Sequence, residues 1–194
     1  MSDTLPRLWV IAGPNGAGKS TLVTERIRRH LTVVNPDDIA RDLPEGPGRL
    51  GLAGRAALAQ RDRLIALRQS FAFETTLSGV GALRFMARCK VAGYRVMFIY
   101  VGLDNPGLSR MRVLDRVSKG GHDVPPADLM RRYPDSLANV ARALAISERA
   151  WVIDNSGASR HLLFSRGHRR IRYLAADLPA WALEAIPAGF RLGE

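Results

Sequence analysis

The fold is decided by the stretch Gly13-Pro14-Asn15-Gly16-Ala17-Gly18-Lys19-Ser20, which has the spacing of a phosphate-binding loop. In this spacing glycines let backbone N–H groups converge on phosphates, the lysine reaches the β- and γ-phosphates, and the serine hydroxyl binds Mg²⁺. The apolar run Leu8–Ala12 predicts a buried strand before the loop, and Lys19–Arg29 predicts a helix after it. The stretch, extended by Thr21, therefore predicts a site for ATP with Mg²⁺ on Ser20.

Strands and helices alternate along the rest of the chain. Short apolar runs predict strands at 31–34, 71–73, 95–101 and 151–153, and residues 161–173 can supply one or two further edge strands. Helices are predicted at 52–69, 80–92, 108–118 and 126–149, with an interruption at Pro134 left open, and around Trp181. Such alternation implies a mostly parallel five-stranded sheet with helices on both faces, with ligands beyond the carboxyl ends of the strands.

Length and composition indicate one domain, residues 1–194, in which 168–194 can form a peripheral C-terminal extension. No apolar run approaches the roughly 20 residues that span a bilayer, so no membrane association is expected. Cys89 is the one cysteine, which excludes an internal disulfide and fits a reducing cytoplasm.

The formal net charge is +11, almost entirely from arginine. Such a charge is typical of proteins with anionic partners, including nucleic acid. It can equally reflect genome composition, given the abundant alanine, glycine and leucine. The late basic cluster, 166–172, has no interleaved aromatic residue. We therefore interpret it first as a solvated face and only second as a nucleic-acid-binding surface.

Two carboxylates, Asp37 and Asp38, follow the second predicted strand. One interpretation is an N-cap for a helix that starts at Ile39, since Asp is favoured there. The other is catalytic, because a kinase that phosphorylates a hydroxyl needs a carboxylate to orient it and accept its proton. We expect Asp37 in that role and Asp38 in acceptor binding.

Polar residues also end the third predicted strand, at Glu74, Thr75 and Thr76. At the carboxyl end of a buried strand they should project into the cleft, where they can bind the acceptor or a water on Mg²⁺. The alternative is a threonine-rich turn with Glu74 paired to an arginine.

Arginines occupy the helix at 108–118. Arg112 and Arg116 are four residues apart and share a face, which is either solvated or closes over the γ-phosphate. The glycine-rich segment 120–123 that follows favours a mobile lid over ATP, with His122 as a lid contact rather than a metal ligand.

Taken in order, these motifs resemble the zeta toxin family, most of all its short proteobacterial branch, between about Leu8 and Ser156. Beyond the loop, the markers are Asn35-Pro36-Asp37, Phe73-Glu74-Thr75-Thr76-Leu77-Ser78-Gly79, the Arg112/Arg116 helix, Gly120-Gly121-His122-Asp123-Val124-Pro125, Arg132-Tyr133 and Asp154-Asn155-Ser156.

The resemblance implies a three-layer α/β fold like that of P-loop kinases and transfer of phosphate from ATP to the 3′-hydroxyl of UDP-N-acetylglucosamine, within a toxin–antitoxin pair. It implies that Asp37 is the catalytic base, that Lys19 and Arg116 contact the transferring phosphate, and that Asn155 lies near the adenine. The second family arginine falls near His122, where this chain has none, so Arg132 or Arg112 is implied in its place. A family glutamate has no match among residues 57–60.

Three other functions compete with this one. A kinase for another small-molecule hydroxyl would use identical loop chemistry and differ only in the acceptor pocket. A nucleic-acid-directed kinase is motivated by the net charge. An ABC-type ATPase is suggested by Leu77-Ser78-Gly79, but that motif lies only 58 residues after Lys19, and the strand through Val101 does not end in a paired Asp-Glu.

Overall fold

A computed structural model describes residues 5–120, 123–168 and 170–192. Its sheet has seven strands in the order β2-β3-β1-β4-β5-β6-β7. The strands are β1 (Arg7–Ala12), β2 (Thr32–Val34), β3 (Phe71–Thr75), β4 (Arg95–Gly102), β5 (Arg149–Asp154), β6 (His161–Gly167) and β7 (Arg170–Leu174). The first five are parallel, and β6 and β7 join antiparallel at one edge. The predicted α/β class, the five parallel strands and the added edge strands are confirmed.

Helices connect the strands along the described chain. They are α1 (Lys19–Arg26), α2 (Pro36–Arg41), α3 (Arg49–Ala66), α4 (Val80–Val91), α5 (Pro106–Ser118), α6 (Pro126–Ala138), α7 (Val140–Ile146), α8 (Ala180–Ala185) and α9 (Ala188–Leu192). The helix predicted at 126–149 is two helices. The break falls at Asn139 and not at Pro134, because buried Tyr133, Ser136 and Leu137 anchor the chain on both sides of the proline.

The sheet has a different helical cover on each face. Leu8, Val10 and Phe73 belong to the large core beneath α3, α4, α6, α7 and α8. The opposite face packs Ile11 against Val23 of α1 in a much smaller core. Helices thus lie on both faces, as predicted, but unequally.

Next to α1 the second face carries an apolar groove of about 920 Å³. Its lining includes Ile99 together with the half-buried rings of Trp9 and Trp151. These two rings stack with centroids 5.8 Å apart and an interplanar angle of 14°.

None of the helices in the described ranges has the length and apolar character that crossing a bilayer requires.

The C-terminal stretch is joined to the main core. β7 pairs with β6, and α8 inserts Trp181, which is only 3% exposed, against Tyr100 with ring centroids 6.1 Å apart. A Cβ on Gly102 would lie 2.2 Å from the Trp181 ring, so the end of β4 accommodates this indole only because residue 102 is glycine.

Candidate active site

A cavity of about 520 Å³ lies beyond the carboxyl ends of β1, β2 and β3. It is formed by the loop after β1, the start of α2, the end of β3, and arginines from α3 and α5. The predicted site residues that line it are Asn15, Gly16, Gly18, Lys19, Ser20, Thr21, Asp37, Glu74, Thr75, Thr76, Arg112 and Arg116. Gly13, Pro14 and Ala17 are buried within the loop itself.

Close contacts with the body of the protein fix the loop's shape. Gly13 has φ +144°, and a Cβ there would lie 2.1 Å from the carbonyl oxygen of Val101. Gly18 begins α1 in the left-handed region, with φ +82°. Ser109 on α5 donates to the carbonyl of Asn15 at 2.7 Å. Glycine adopts such backbone conformations readily. They orient successive backbone N–H groups so that these groups can bind an anion.

Asn155 lies against the same loop. Its Nδ2 donates to the Ala17 carbonyl at 2.9 Å, and a Cβ on Gly18 would lie 2.6 Å from that nitrogen. The geometry therefore gives Asn155 a bracing contact beneath the phosphate-binding loop.

Lys19 follows the loop and is half-buried at the cavity wall. Its Nζ donates to the carbonyls of Gly13 at 2.7 Å and Pro14 at 2.8 Å. Burial lowers the pKa of Lys19 to about 8, while the nearby charges of Glu74 and Asp37 act in the opposite direction. An additional negative group near Nζ, such as a phosphate, would favour the charged ammonium.

Glu74 connects the loop to the second strand. Its buried carboxylate accepts from the Ser20 hydroxyl at 2.8 Å through Oε2, and from Asn35 Nδ2 at 3.0 Å through Oε1. The Oδ1 of the same asparagine accepts the Asp37 N–H at 2.9 Å. The chain Ser20–Glu74–Asn35–Asp37 thus joins the phosphate-binding loop to the candidate base.

Ser20 and Glu74 supply the kind of ligands that Mg²⁺ requires. The hydroxyl and carboxylate oxygens are hard donors, and Mg²⁺ usually keeps several waters and binds substrate phosphates through one or two protein groups. No group of three or more His, Cys, Asp or Glu side chains suited to a metal occurs in the part of the chain that the structure describes. The donor set fits Mg²⁺ that arrives with ATP rather than a metal held by a full protein cage.

Asp37 and Asp38 point to different neighbours. Asn35 is the N-cap of α2, and both aspartates lie in the first turn, so the capping interpretation of the pair is wrong. The exposed Asp37 lines the cavity. Asp38 forms ion pairs with Arg28 at 2.5 Å and with Arg41, and it lines a wider adjoining groove of about 1210 Å³.

The predicted arginines divide into two groups. Arg112 and Arg116 both line the cavity, beside the phosphate-binding loop. Their shared helix face therefore lies towards the site. Arg112 also donates to the carbonyls of Asn155 at 2.6 Å and Ser156 at 3.3 Å. Arg132 does not line this cavity and pairs with Asp128 at 2.8 Å within α6.

The predicted lid cannot be described as a whole, because Gly121 and His122 lie outside the described residues. At its edges, Gly120 and Asp123 line the wider groove that adjoins the cavity. In the basic cluster, Arg169 also lies outside the described residues. Arg166 is not a solvated side chain: it donates to the carbonyls of Leu144 and Ser147 and lies over the Phe190 ring.

The two threonines after Glu74 form a turn and also face the cavity. Thr75 Oγ1 accepts the Leu77 N–H at 3.0 Å, and the hydroxyls of Thr76 and Ser78 lie 2.9 Å apart. Both threonines line the cavity. The alternative of a threonine-rich turn is correct for the backbone, and the Glu74 carboxylate accepts hydrogen bonds from Ser20 and Asn35.

Sequence reasoning missed two residues of this site. The motif Asn35-Pro36-Asp37 assigns no role to Asn35 itself, although this residue links Glu74 to Asp37. Arg61 lines the cavity from α3. The sequence contains a signal for Arg61, because it lies four residues after Ala57 and three before Leu64. This spacing places Arg61 on the buried face of α3.

Comparison with known proteins identifies relatives of this site and fold. The family model described as zeta toxin matches residues 1–163. A Haemophilus influenzae protein described as uncharacterized is 31% identical over 136 residues, which cover 66% of this chain and 97% of that protein.

Two solved structures share the fold. A chain of the PezAT chromosomal toxin–antitoxin system of Streptococcus pneumoniae superposes with a TM-score of 0.63 at 20% identity, over 85% of this chain and 73% of that one. A chain of the AvrRxo1-ORF1:-ORF2 complex with ATP gives a TM-score of 0.70 at 14% identity, over 86% of this chain. This protein spans only 60% of that chain. At such identities the superpositions show the fold alone.

Proposed function

Because the chain belongs to the zeta toxin family, we propose that it is a kinase that transfers the γ-phosphoryl group of ATP to a hydroxyl of a small molecule. The observation that carries the proposal is the chain of hydrogen bonds from Ser20 through Glu74 and Asn35 to Asp37. It holds the backbone of Asp37 beside the phosphate-binding loop, so that this carboxylate-bearing residue lines the same cavity as Lys19.

Asp37 acts as the general base. The acceptor oxygen attacks the γ-phosphorus and its proton passes to the Asp37 carboxylate, while the bond from the γ-phosphorus to the β–γ bridging oxygen breaks and ADP leaves with that electron pair. The exposure of Asp37 within the cavity supports this role, since its carboxylate is available to an acceptor.

Cationic residues stabilise the phosphoryl group in transit. Lys19 binds the β- and γ-phosphates, and Arg116 approaches from α5 with Arg112 beside it. Arg132 is paired with Asp128, so it reaches the phosphates only if α6 moves or the Arg132 side chain changes conformation. Arg112 is therefore the better substitute for the second family arginine.

Mg²⁺ would be held by Ser20, with Glu74 accepting hydrogen bonds from its waters, and would neutralise charge on the β- and γ-phosphates. Thr75 and Thr76 would bind the acceptor from the end of β3. Asp38 would hold the start of α2 through Arg28 and Arg41 and contact an acceptor that extends into the wider groove.

The substitution Asp37→Asn tests the assignment of the base. We expect kcat to fall about 10²- to 10⁴-fold, the typical contribution of a positioned base. The Kd for MgATP should change little, because the loop is intact. The matched control is Asp42→Asn, an exposed carboxylate at the end of the same helix. Turnover by Asp37→Asn close to that of the unmodified protein would refute the role of Asp37.

We propose that the acceptor is UDP-N-acetylglucosamine, which is phosphorylated on its 3′-hydroxyl. We also propose that the protein acts as a toxin that an antitoxin protein inhibits. Family membership supports both, and the PezAT structure belongs to a toxin–antitoxin system. Mass spectrometry of a metabolite extract incubated with ATP and the protein should show one added phosphoryl group on the UDP-sugar.

Phosphorylation of another alcohol would instead support the main alternative, a kinase for a different small-molecule hydroxyl.

The toxin role predicts that expression in bacteria arrests growth and that the arrest disappears in the variants Lys19→Ala and Asp37→Asn. Normal growth with the unmodified protein at high expression would contradict a toxin.

A further inference from the structure

Arg61 is a cation of the cavity that the proposed phosphoryl transfer does not use. It lies in the middle of α3, on the face that also carries buried Ala57 and Leu64. Its guanidinium carbon is 4.4 Å from the ring centre of Phe73 and 5.2 Å from that of Phe85. Phe73 belongs to β3, two residues before Thr75, which lines the same cavity.

No carboxylate in the described part of the chain forms an ion pair with this half-buried charge. Within the described residues Arg61 has no ion pair, and its Nε is buried without a hydrogen-bond partner. The adjacent Asp62 is paired with Arg88 instead. Burial lowers the pKa of the Arg61 guanidinium, so its surroundings disfavour the charge that it carries. Buried cations are ordinarily paired, and leaving one unpaired is costly.

The two aromatic rings hold the guanidinium without consuming its donors. A guanidinium that stacks on an aromatic face keeps the N–H groups in its plane free, and this planar fork matches the geometry of phosphate and carboxylate. Arg61 therefore combines a fixed orientation, an incompletely compensated charge and access to the cavity.

The position of Arg61 separates it from the nucleotide half of the site. The phosphate-binding loop follows β1, whereas Arg61 packs on β3, which lies between β1 and β2. The candidate base Asp37 follows β2. An acceptor with its hydroxyl at Asp37 can thus extend along the end of β3 towards Arg61.

We propose that Arg61 is a specificity-determining residue that binds an anionic group of the acceptor, so the preferred acceptor is an alcohol that also carries a phosphate, diphosphate or carboxylate. The inference rests on the proposed kinase function, because it assigns the half of the cavity that ATP does not occupy. Neutral sugars and nucleosides are then poor acceptors.

The test is calorimetric titration of the protein with pyrophosphate, and separately with malonate, in the presence of saturating Mg²⁺ and a non-hydrolysable ATP analogue. The analogue fills the phosphate-binding loop, so the added anion reports on the remaining cavity. We expect Arg61→Met to weaken binding of the preferred anion roughly 10- to 100-fold, the range for hydrogen bonds to charged groups. The pyrophosphate and malonate arms distinguish a phosphate-bearing from a carboxylate-bearing acceptor.

Two variants separate anion binding from a structural role. Arg55→Met removes an exposed arginine from the same helix and should leave anion affinity unchanged. Arg61→Met retains an apolar side chain over Phe73, and equal thermal unfolding of the two variants shows that the fold survives. Arg61→Lys keeps the charge without the planar fork and should restore binding only in part.

Each result decides between the two proposals. Failure of the ATP analogue to bind the unmodified protein overturns the kinase proposal and this inference with it. Binding of the analogue but of neither anion overturns the inference alone. Anion affinity that is equal in Arg61→Met and the unmodified protein also overturns it, since Arg61 would then only support the rings of Phe73 and Phe85.

Discussion

At the scale of single residues, burial sets the charge of Lys19. Its ammonium donates to two loop carbonyls, yet loss of solvation lowers its pKa to about 8. The neighbouring carboxylates of Glu74 and Asp37 oppose this shift but do not cancel it. A triphosphate brings far more negative charge to the loop, so nucleotide binding should raise the pKa of Lys19 again.

Nucleotide binding is therefore predicted to take up a proton above about pH 8. Near pH 9 most Lys19 side chains are neutral in the free protein and charged in the complex, so uptake approaches about one proton. Below about pH 7 the lysine is charged in both states, and ATP affinity should fall only as pH rises through the free pKa. Calorimetry near pH 9 in two buffers of different ionisation enthalpy measures the uptake. The variant Lys19→Arg, which stays charged, should show none, and zero uptake by the unmodified protein would contradict the prediction.

At the scale of elements, the N-cap of α2 positions the proposed base, Asp37. Asn35 caps the helix with Oδ1 and donates to Glu74 with Nδ2, so one amide serves both a helix terminus and the candidate metal site. Asn105 caps α5 by accepting the Leu108 N–H at 2.9 Å, but it is exposed, and its Nδ2 donates only a long 3.5 Å hydrogen bond to the exposed carboxylate of Asp104.

The two caps make a matched pair for stability measurements. Asn105→Ala should cost about 1 kcal/mol, as for a typical lost N-cap. Asn35→Ala should cost about 2–3 kcal/mol, because it also removes a hydrogen bond from a buried carboxylate. Urea unfolding gives both values. Equal losses in the two variants would show that the contact with Glu74 adds nothing to stability.

Elements with strong local signals were predictable from sequence, and those that depend on tertiary contacts were not. The strand, loop and helix at Leu8–Arg26 follow from apolar runs around the glycines. The capping interpretation starts the short helix α2 too late, at Ile39, because Asn35, rather than either aspartate, is its cap. Pro134 stays within α6 because tertiary packing on both sides outweighs the lost backbone hydrogen bond. The helical spacing places Arg61 on the buried face of α3, but its contacts with Phe73 and Phe85 depend on tertiary structure and could not be predicted.

At the scale of the whole molecule, the C-terminal stretch completes the main core. Trp181 and Ile186 are buried in the cluster that contains strands β1, β3, β4 and β5. The indole Nε1 donates to Asp154 at 3.3 Å, beside the segment that braces the phosphate-binding loop. The end of the chain thus supports the wall of the site from behind.

The substitution Trp181→Ala is therefore predicted to cost about 3–5 kcal/mol of unfolding free energy, as for other buried large aromatic residues. Leu183→Ala, on the exposed side of the same helix, should change stability by only about 0.5 kcal/mol. Chemical denaturation measures both. A small loss for Trp181→Ala would show that residues 168–194 are a peripheral extension after all.

The stacked indoles of Trp9 and Trp151 give the protein an optical signature of its own. Rings this close and nearly parallel couple their electronic transitions, so the native state should show a paired positive and negative band in circular dichroism. The chain has three tryptophans, and the third is the buried Trp181. The dichroic couplet reports assembly of β1 and β5 across β4, while the contribution of Trp181 to the fluorescence reports docking of the C-terminal helix. The two signals can follow folding on opposite faces of one sheet without any added label.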